Sequence, residues 1–279
     1  MNRTIQNIIW LNKKAREIRS LILEMIVAAN KGHIGGALSC TDILVALYYG
    51  SVLRVDPDNP RWDKRDRFIL SKGHSGSALF AVLADFGFFE KGALETYCKN
   101  GTMLGGHPDR RIPGIEADTG SLGHGLGLSA GMALSAKMNK ESHQVVVLLG
   151  DGECCEGSVW ESLVFASHHK LDNLTLIVDR NRQCVMDFTE DCSPLDPLVS
   201  RLEAFGWDSR EVNGHSFEEL LDVLAGVSSR TSTKPFAIVA NTIKGKGVSF
   251  MEGRLKWHHS VPSGEELVQA RKELSAQYT

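Results

Sequence analysis

Apolar positions along the chain follow two rhythms. Over 8–30 the residues Ile8, Ile9, Leu11, Ala15, Ile18, Leu21, Ile22, Met25 and Ile26 recur at helical spacing, which predicts a long amphipathic helix stopped at Lys31-Gly32. A second helix is expected over 41–49, capped by Thr41. Elsewhere the rhythm gives way to short apolar runs at 145–149, 174–178 and 236–240, with further strands expected at 67–71 and near 209–212. Runs without polar alternation read as buried parallel strands. Between them lie expected helices over 73–83, 156–168, 216–226 and 264–277, and a small-residue helix over 126–138 packed tightly against its neighbours. Glycine-rich stretches at 101–127 and 246–260, and the segment around Pro194 and Pro197, are expected as ordered loops. This alternation predicts an open α/β fold, a mostly parallel sheet with helices on both faces, as a single domain over 1–279 without linker or repeat.

The ends of two strands carry candidate chemistry. Gly150-Asp151-Gly152 follows one apolar run and Asn181 follows the other, so both side chains are delivered to the carboxyl edge of the sheet, where open α/β folds bind ligands. A carboxylate beside an amide oxygen suits Mg²⁺ or Ca²⁺. The glycines let a backbone approach a bound anion, and the expected helix over 156–168 would turn its N-terminus to the same place. Taken alone, Gly-Asp-Gly reads equally as a tight turn and Asn181 as a helix cap.

A net charge of -3 argues against nucleic acid as the main partner, and no apolar run is long enough to span a bilayer. The first residues lack a signal-peptide core, so a cytoplasmic location is expected. Six cysteines without a CxxC pair are expected to be free thiols. The histidines are less ordinary. His33, His74, His107, His124 and the pair His258-His259 all lie in loops, most of them flanked by glycine. Imidazoles so placed can bond sugar hydroxyls, bind phosphate and move protons near neutral pH.

The pairing of Gly150-Asp151-Gly152 with Asn181 resembles the thiamine diphosphate fingerprint, which implies Asp151, Asn181 and the carbonyl of Gln183 as metal ligands. The wider run of motifs resembles the transketolase family in order: Gly32-His33, Leu70 to His74, Gly105 to Asp109, Thr119 to Gly125, Gly150 to Gly157, Val178 to Asn181, Lys244 to Gly247 and Trp257-His258. The likeness is to its N-terminal, diphosphate-binding half, of the kind encoded separately. It implies diphosphate contacts at His74, Gly152 and His258, and ketose binding and proton transfer at His33, His107 and His258. It further implies Gly120 and Leu122 beside the aminopyrimidine, and Glu156 in a carboxylate network between paired active sites.

The same resemblance implies a C-terminal partner subunit carrying the pyrimidine domain, an α2β2 assembly and sugar or sugar phosphate substrates. The chain departs from the family pattern at His124, Arg182-Gln183-Cys184, Val185 to Phe188 and His259, all expected near the substrate channel. A ketose with an unusual terminus, such as a sulfo-sugar or branched pentulose phosphate, fits those departures. Two other readings share part of the pattern: the α subunit of a 2-oxo acid dehydrogenase, and a catalytically silent partner subunit.

Overall fold

Five parallel strands form one sheet in the order β1-β2-β3-β5-β4. They are β1 (Arg67–Leu70), β2 (Val145–Gly150), β3 (Leu174–Arg180), β4 (Asp208–Asn213) and β5 (Phe236–Asn241). The computed structural model describes residues 3–227 and 230–275. Ten helices accompany the sheet among them: α1 (Arg3–Ala29), α2 (Ile34–Ser39), α3 (Thr41–Tyr49), α4 (Gly76–Phe86), α5 (Gly125–Met138), α6 (Gly157–His168), α7 (Thr189–Cys192), α8 (Leu198–Ala204), α9 (Phe217–Val227) and α10 (Gly264–Ser275).

Strand periodicity splits the core in two. Val146, Leu148, Ile177 and Ile238 face one way, into a cluster closed by α1 to α4, α9 and α10. Val145, Val147, Leu176 and Val239 face the other, into a cluster closed by α5, α6 and α8. Central strands buried on both sides need apolar residues at every position, which is why their sequence shows no alternation.

Several local expectations are corrected. The first helix stops at Ala29, and the left-handed residue that turns it is Asn30 (φ 50°), not the glycine two residues on. Thr41 is no cap: its hydroxyl donates to the Ala37 carbonyl at 2.9 Å, back onto α2, an element the apolar rhythm did not reveal. The segment after Ser71 begins as a 3-10 turn (Gly73–Ser75) before α4 starts. Helix α5 packs on one face only; Leu128 and Met138 on the other are 44% and 75% exposed. The last helix is described to Ser275, and the expected end at Gln277 lies outside the described residues.

Candidate active site

Parallel register places the ends of β2, β3 and β5 side by side, with Gly150 opposite Asp179 and Arg180 opposite Asn241. The residues that follow therefore converge. Asp151 is 1% exposed; one carboxylate oxygen accepts the Gly152 N–H at 2.9 Å and the other the Arg182 N–H at 2.5 Å. Burial, reinforced by the charge of nearby Asp179, pushes its carboxyl up to about 7. The Asn181 side-chain oxygen accepts the Gln183 N–H at 3.2 Å, which fixes the turn that presents the Gln183 carbonyl.

Gly152 is needed for a close approach. A Cβ there would sit 3.2 Å from Cβ of Cys184 and 4.0 Å from the Gln183 carbonyl oxygen. Asp151, Asn181 and the Gln183 carbonyl thus form an oxygen-only donor set, the kind hard divalent cations take. Among the described residues no three His, Cys, Asp or Glu side chains gather as a metal site, so a cation here relies on amide and carbonyl oxygens beside one carboxylate.

Two buried lysines brace this edge. Lys72 pairs with Asp179 and donates to the Gly36 carbonyl at 3.0 Å. Asp179 also accepts from the hydroxyls of Ser39, at 2.6 Å, and Thr242. Burial alone would raise the Asp179 carboxyl, but the Lys72 ammonium and these hydrogen bonds outweigh it and hold it below the usual range. Lys244 donates to the carbonyls of Gln183 (3.4 Å) and Cys184 (3.1 Å), and burial, with Lys72 nearby, lowers it to about 8. Its segment is held from behind: His215 accepts the Ile243 N–H at 2.8 Å while its other ring nitrogen meets Asp42 at 2.5 Å.

The histidines assemble on the same side. His33, His74 and His258 form a triangle, with ring centroids 5.3 Å from His33 to each of the others and 5.7 Å between the stacked His74 and His258, and His259 stands 4.5 Å from His33. Burial is the largest cause that lowers His33 to about 4, His74 to about 2 and His258 to about 3, and neighbouring lysines add to it. All three are neutral imidazoles at neutral pH. Nδ1 of His258 is buried with no hydrogen-bond partner, an open polar group in a cationic pocket. His107 packs against Gly120, where a Cβ would come within 2.8 Å of its ring; Gly120 adopts φ 149°, open to glycine.

Gly120 also lines a groove of about 600 Å³ with Gly123, His124, Leu128, Ser158 and Ser162. Leu122 sits between two of its lining residues, and its carbonyl meets His124 Nδ1 at 3.1 Å. Glu156 is exposed beside Gly123 at the start of α6. The carboxylate that knits these loops is Glu153, which accepts from the Ser71 hydroxyl, from Gly123 N at 2.9 Å and from Gly150 N at 3.3 Å. Helix α6 begins only after a 3-10 turn (Gly152–Cys155), so it opens next to Gly123 rather than directly behind Asp151.

Lys72, Asp179, Glu153 and Lys244 lie within motifs that carried the family resemblance, but the sequence reading gave none of them a role. A signal existed for two of them: Lys72 and Asp179 extend otherwise apolar strand segments, and a charge there must find a partner.

Residues 11–278 match the family model described as "Transketolase, thiamine diphosphate binding domain". The chain is 43% identical over 265 residues to one of the subunits of the apulose-4-phosphate transketolase of Phocaeicola vulgatus, covering 95% of this chain and 94% of the relative. It is 42% identical over 250 residues to the 6-deoxy-6-sulfo-D-fructose transketolase subunit SqwG of a Clostridium species, covering 89% and 90%. Human transketolase is 39% identical over 249 residues, which span 89% of this chain but 39% of that protein. The solved transketolase of Campylobacter jejuni superposes with a TM-score of 0.88 at 33% identity, covering 98% of this chain and 43% of that one.

Proposed function

Because this chain belongs to the transketolase family, as its thiamine diphosphate-binding type, we propose that it is the diphosphate-holding subunit of a split transketolase. It transfers a two-carbon ketol unit from a ketose to an aldose. The observation that carries the reading is the oxygen set of Asp151, Asn181 and Gln183 directly beside four clustered imidazoles.

In this reading a divalent cation, Mg²⁺ or Ca²⁺, is held by the Asp151 carboxylate, the Asn181 amide oxygen and the Gln183 carbonyl. Lys244 supplies a cation beside the diphosphate, and Gly152 lets the backbone come close to it. His74 and His258, neutral and partly buried, offer ring N–H groups to phosphate oxygens. His33 and His107 read the ketose hydroxyls and move protons, an imidazole taking a proton up as base and handing it back as imidazolium. Thiamine diphosphate, when bound, supplies the nucleophilic carbon that receives and hands on the ketol unit. Glu156, exposed at the start of α6, faces a second copy.

Among the described residues there is one sheet and one site edge. A C-terminal partner subunit supplies the pyrimidine pocket, the activating glutamate and the arginines that grip the substrate's terminal anion. The assembly is α2β2 and works in the cytoplasm. Two relatives matched over nearly their whole length are named for apulose 4-phosphate and 6-deoxy-6-sulfo-D-fructose, so donors with a terminal phosphate or sulfonate are favoured here. A 2-oxo acid dehydrogenase needs no such hydroxyl-reading array, and a silent homologue would not retain it.

The test is reconstitution. The purified chain should be inactive and bind thiamine diphosphate weakly; adding its partner should restore ketol transfer from apulose 4-phosphate or 6-deoxy-6-sulfofructose and raise cofactor affinity together. Robust ketol transfer by a preparation free of any partner would overturn the split-enzyme reading.

A further inference from the structure

The loop that leaves the metal-binding edge carries two cysteines that the proposed function does not use. Sγ of Cys184 lies 3.0 Å from Sγ of Cys192, and Cys192 is exposed while Cys184 is partly so. The backbone holds them there. Gln183 bridges to Phe188, Cys184 N donates to the Asp187 carbonyl at 2.9 Å, Thr189 N to the Arg182 carbonyl at 3.0 Å, and Cys192 N to the Phe188 carbonyl at 3.1 Å. The two thiols therefore face each other across a hairpin closed at both ends.

We infer that Cys184 and Cys192 are a modification site, a dithiol that a peroxide closes to a disulfide, strapping the 183–192 loop in its present shape. Bond formation takes the sulfurs from 3.0 Å to the roughly 2.05 Å of a disulfide, a closing of about 1 Å. Whichever sulfur reacts first attacks one peroxide oxygen; the O–O bond breaks, leaving a sulfenic acid and one water. The second sulfur then attacks the sulfenic sulfur, the S–S bond forms and the S–O bond breaks, releasing a second water. Two thiols lose two electrons and two protons, and the peroxide gains both. A reducing compartment returns the pair to thiols.

The strap matters because of where the loop begins. The Gln183 carbonyl faces Gly152, and the carbonyls of Gln183 and Cys184 both accept from Lys244. A disulfide fixes the segment from which those oxygens project, and preorganising a binding loop slows ligand loss. This consequence rests on the cofactor reading above, whereas the disulfide itself does not.

The experiment uses the full chain, alone and with its partner subunit, treated with hydrogen peroxide, then alkylated and digested without reductant. Mass spectrometry should find the Cys184 and Cys192 peptides joined and two hydrogens lighter, with the joint released by dithiothreitol. Cys192→Ser should abolish the product and Cys155→Ser should leave it. Separate alkylation of both cysteines after treatment, or Cys155 as the main partner, would overturn the site. The cross-linked holoenzyme should lose thiamine diphosphate and Mg²⁺ about threefold or more slowly than the reduced form. Equal rates in material shown to be cross-linked would overturn the strap; failure of the reduced enzyme to bind the cofactor at all would instead count against the proposed function.

Discussion

Ionising Asp151 places a second negative charge beside Asp179 in a buried setting, so the carboxylate and a bound cation stabilise each other. Cation affinity should accordingly rise as pH passes upward through about 7. Asp151→Ala removes the carboxylate and should abolish metal-dependent binding of thiamine diphosphate; undiminished affinity by calorimetry, with the partner present, would refute the assignment. The imidazoles act in the opposite sense on stability. His33, His74 and His258 fall to about 4, 2 and 3 from an ordinary 6.5, so below pH 6.5 the unfolded chain takes up protons that the native one refuses. Asp151, protonated in the native state between 3.8 and about 7, opposes this, as does Glu153, likewise raised by burial, but they are two groups against three. The cofactor-free chain should melt at progressively lower temperature as pH drops from 6.5 to 4. His74→Asn should flatten that dependence in a thermal scan, and an unaltered slope would show that these rings do not govern it.

At the level of elements, the loop contacts are tight enough to decide the sign of a substitution. Gly125 opens α5, where alanine would ordinarily favour the helix by up to about 1 kcal/mol. A Cβ there would lie 2.2 Å from Oγ and 2.9 Å from Cα of Ser71, and backbone cannot yield as a side chain can. Overpacking of this kind costs about 1–3 kcal/mol, so Gly125→Ala should destabilise, as read by urea denaturation; a gain in stability would show that the Ser71 loop gives way.

The same elements show what a chain reveals about itself. Unbroken apolar runs identified β2, β3 and β5 because strands buried on both faces have no other composition open to them. Helix α2 escaped notice, since Gly35 and Gly36 leave only six residues with no amphipathic stripe. Asp151 and Asn181 stood out because a turn residue is legible next to its strand. Lys244 and Glu153 did not: their meaning lies in partners 61 and 82 positions away, at Gln183 and Ser71. The facing thiols were equally hidden, since a spacing of eight acquires significance only through the hairpin between them.

For the whole molecule, α5 and α6 present exposed apolar side chains that none of the described residues covers. Leu128, Met138, Val164 and Phe165 are 44%, 75%, 54% and 40% exposed, with Glu156 at the start of α6. Obligate interfaces bury about 2,000 Å² or more and resemble a core cut in half, so this face should mediate association of two copies. Leu128→Lys with Phe165→Lys should shift the sedimenting species towards monomer without lowering its melting temperature. A wild-type chain that sediments as a monomer alone and as a one-to-one heterodimer with its partner bound would rule the face out.

The order β1-β2-β3-β5-β4 has one more implication. β5, the last of the five strands in the chain, is inserted between two earlier ones, and His258 near one end of the chain meets His33 near the other, edge to face. No short contiguous fragment contains the whole of the proposed site, which runs from His33 to His258. A ligand that bridges these segments is therefore linked to unfolding of the entire domain as well as to opening of the loops that touch it. Hydrogen exchange should register thiamine diphosphate as slower opening of the central strands themselves, far behind the loops that touch it.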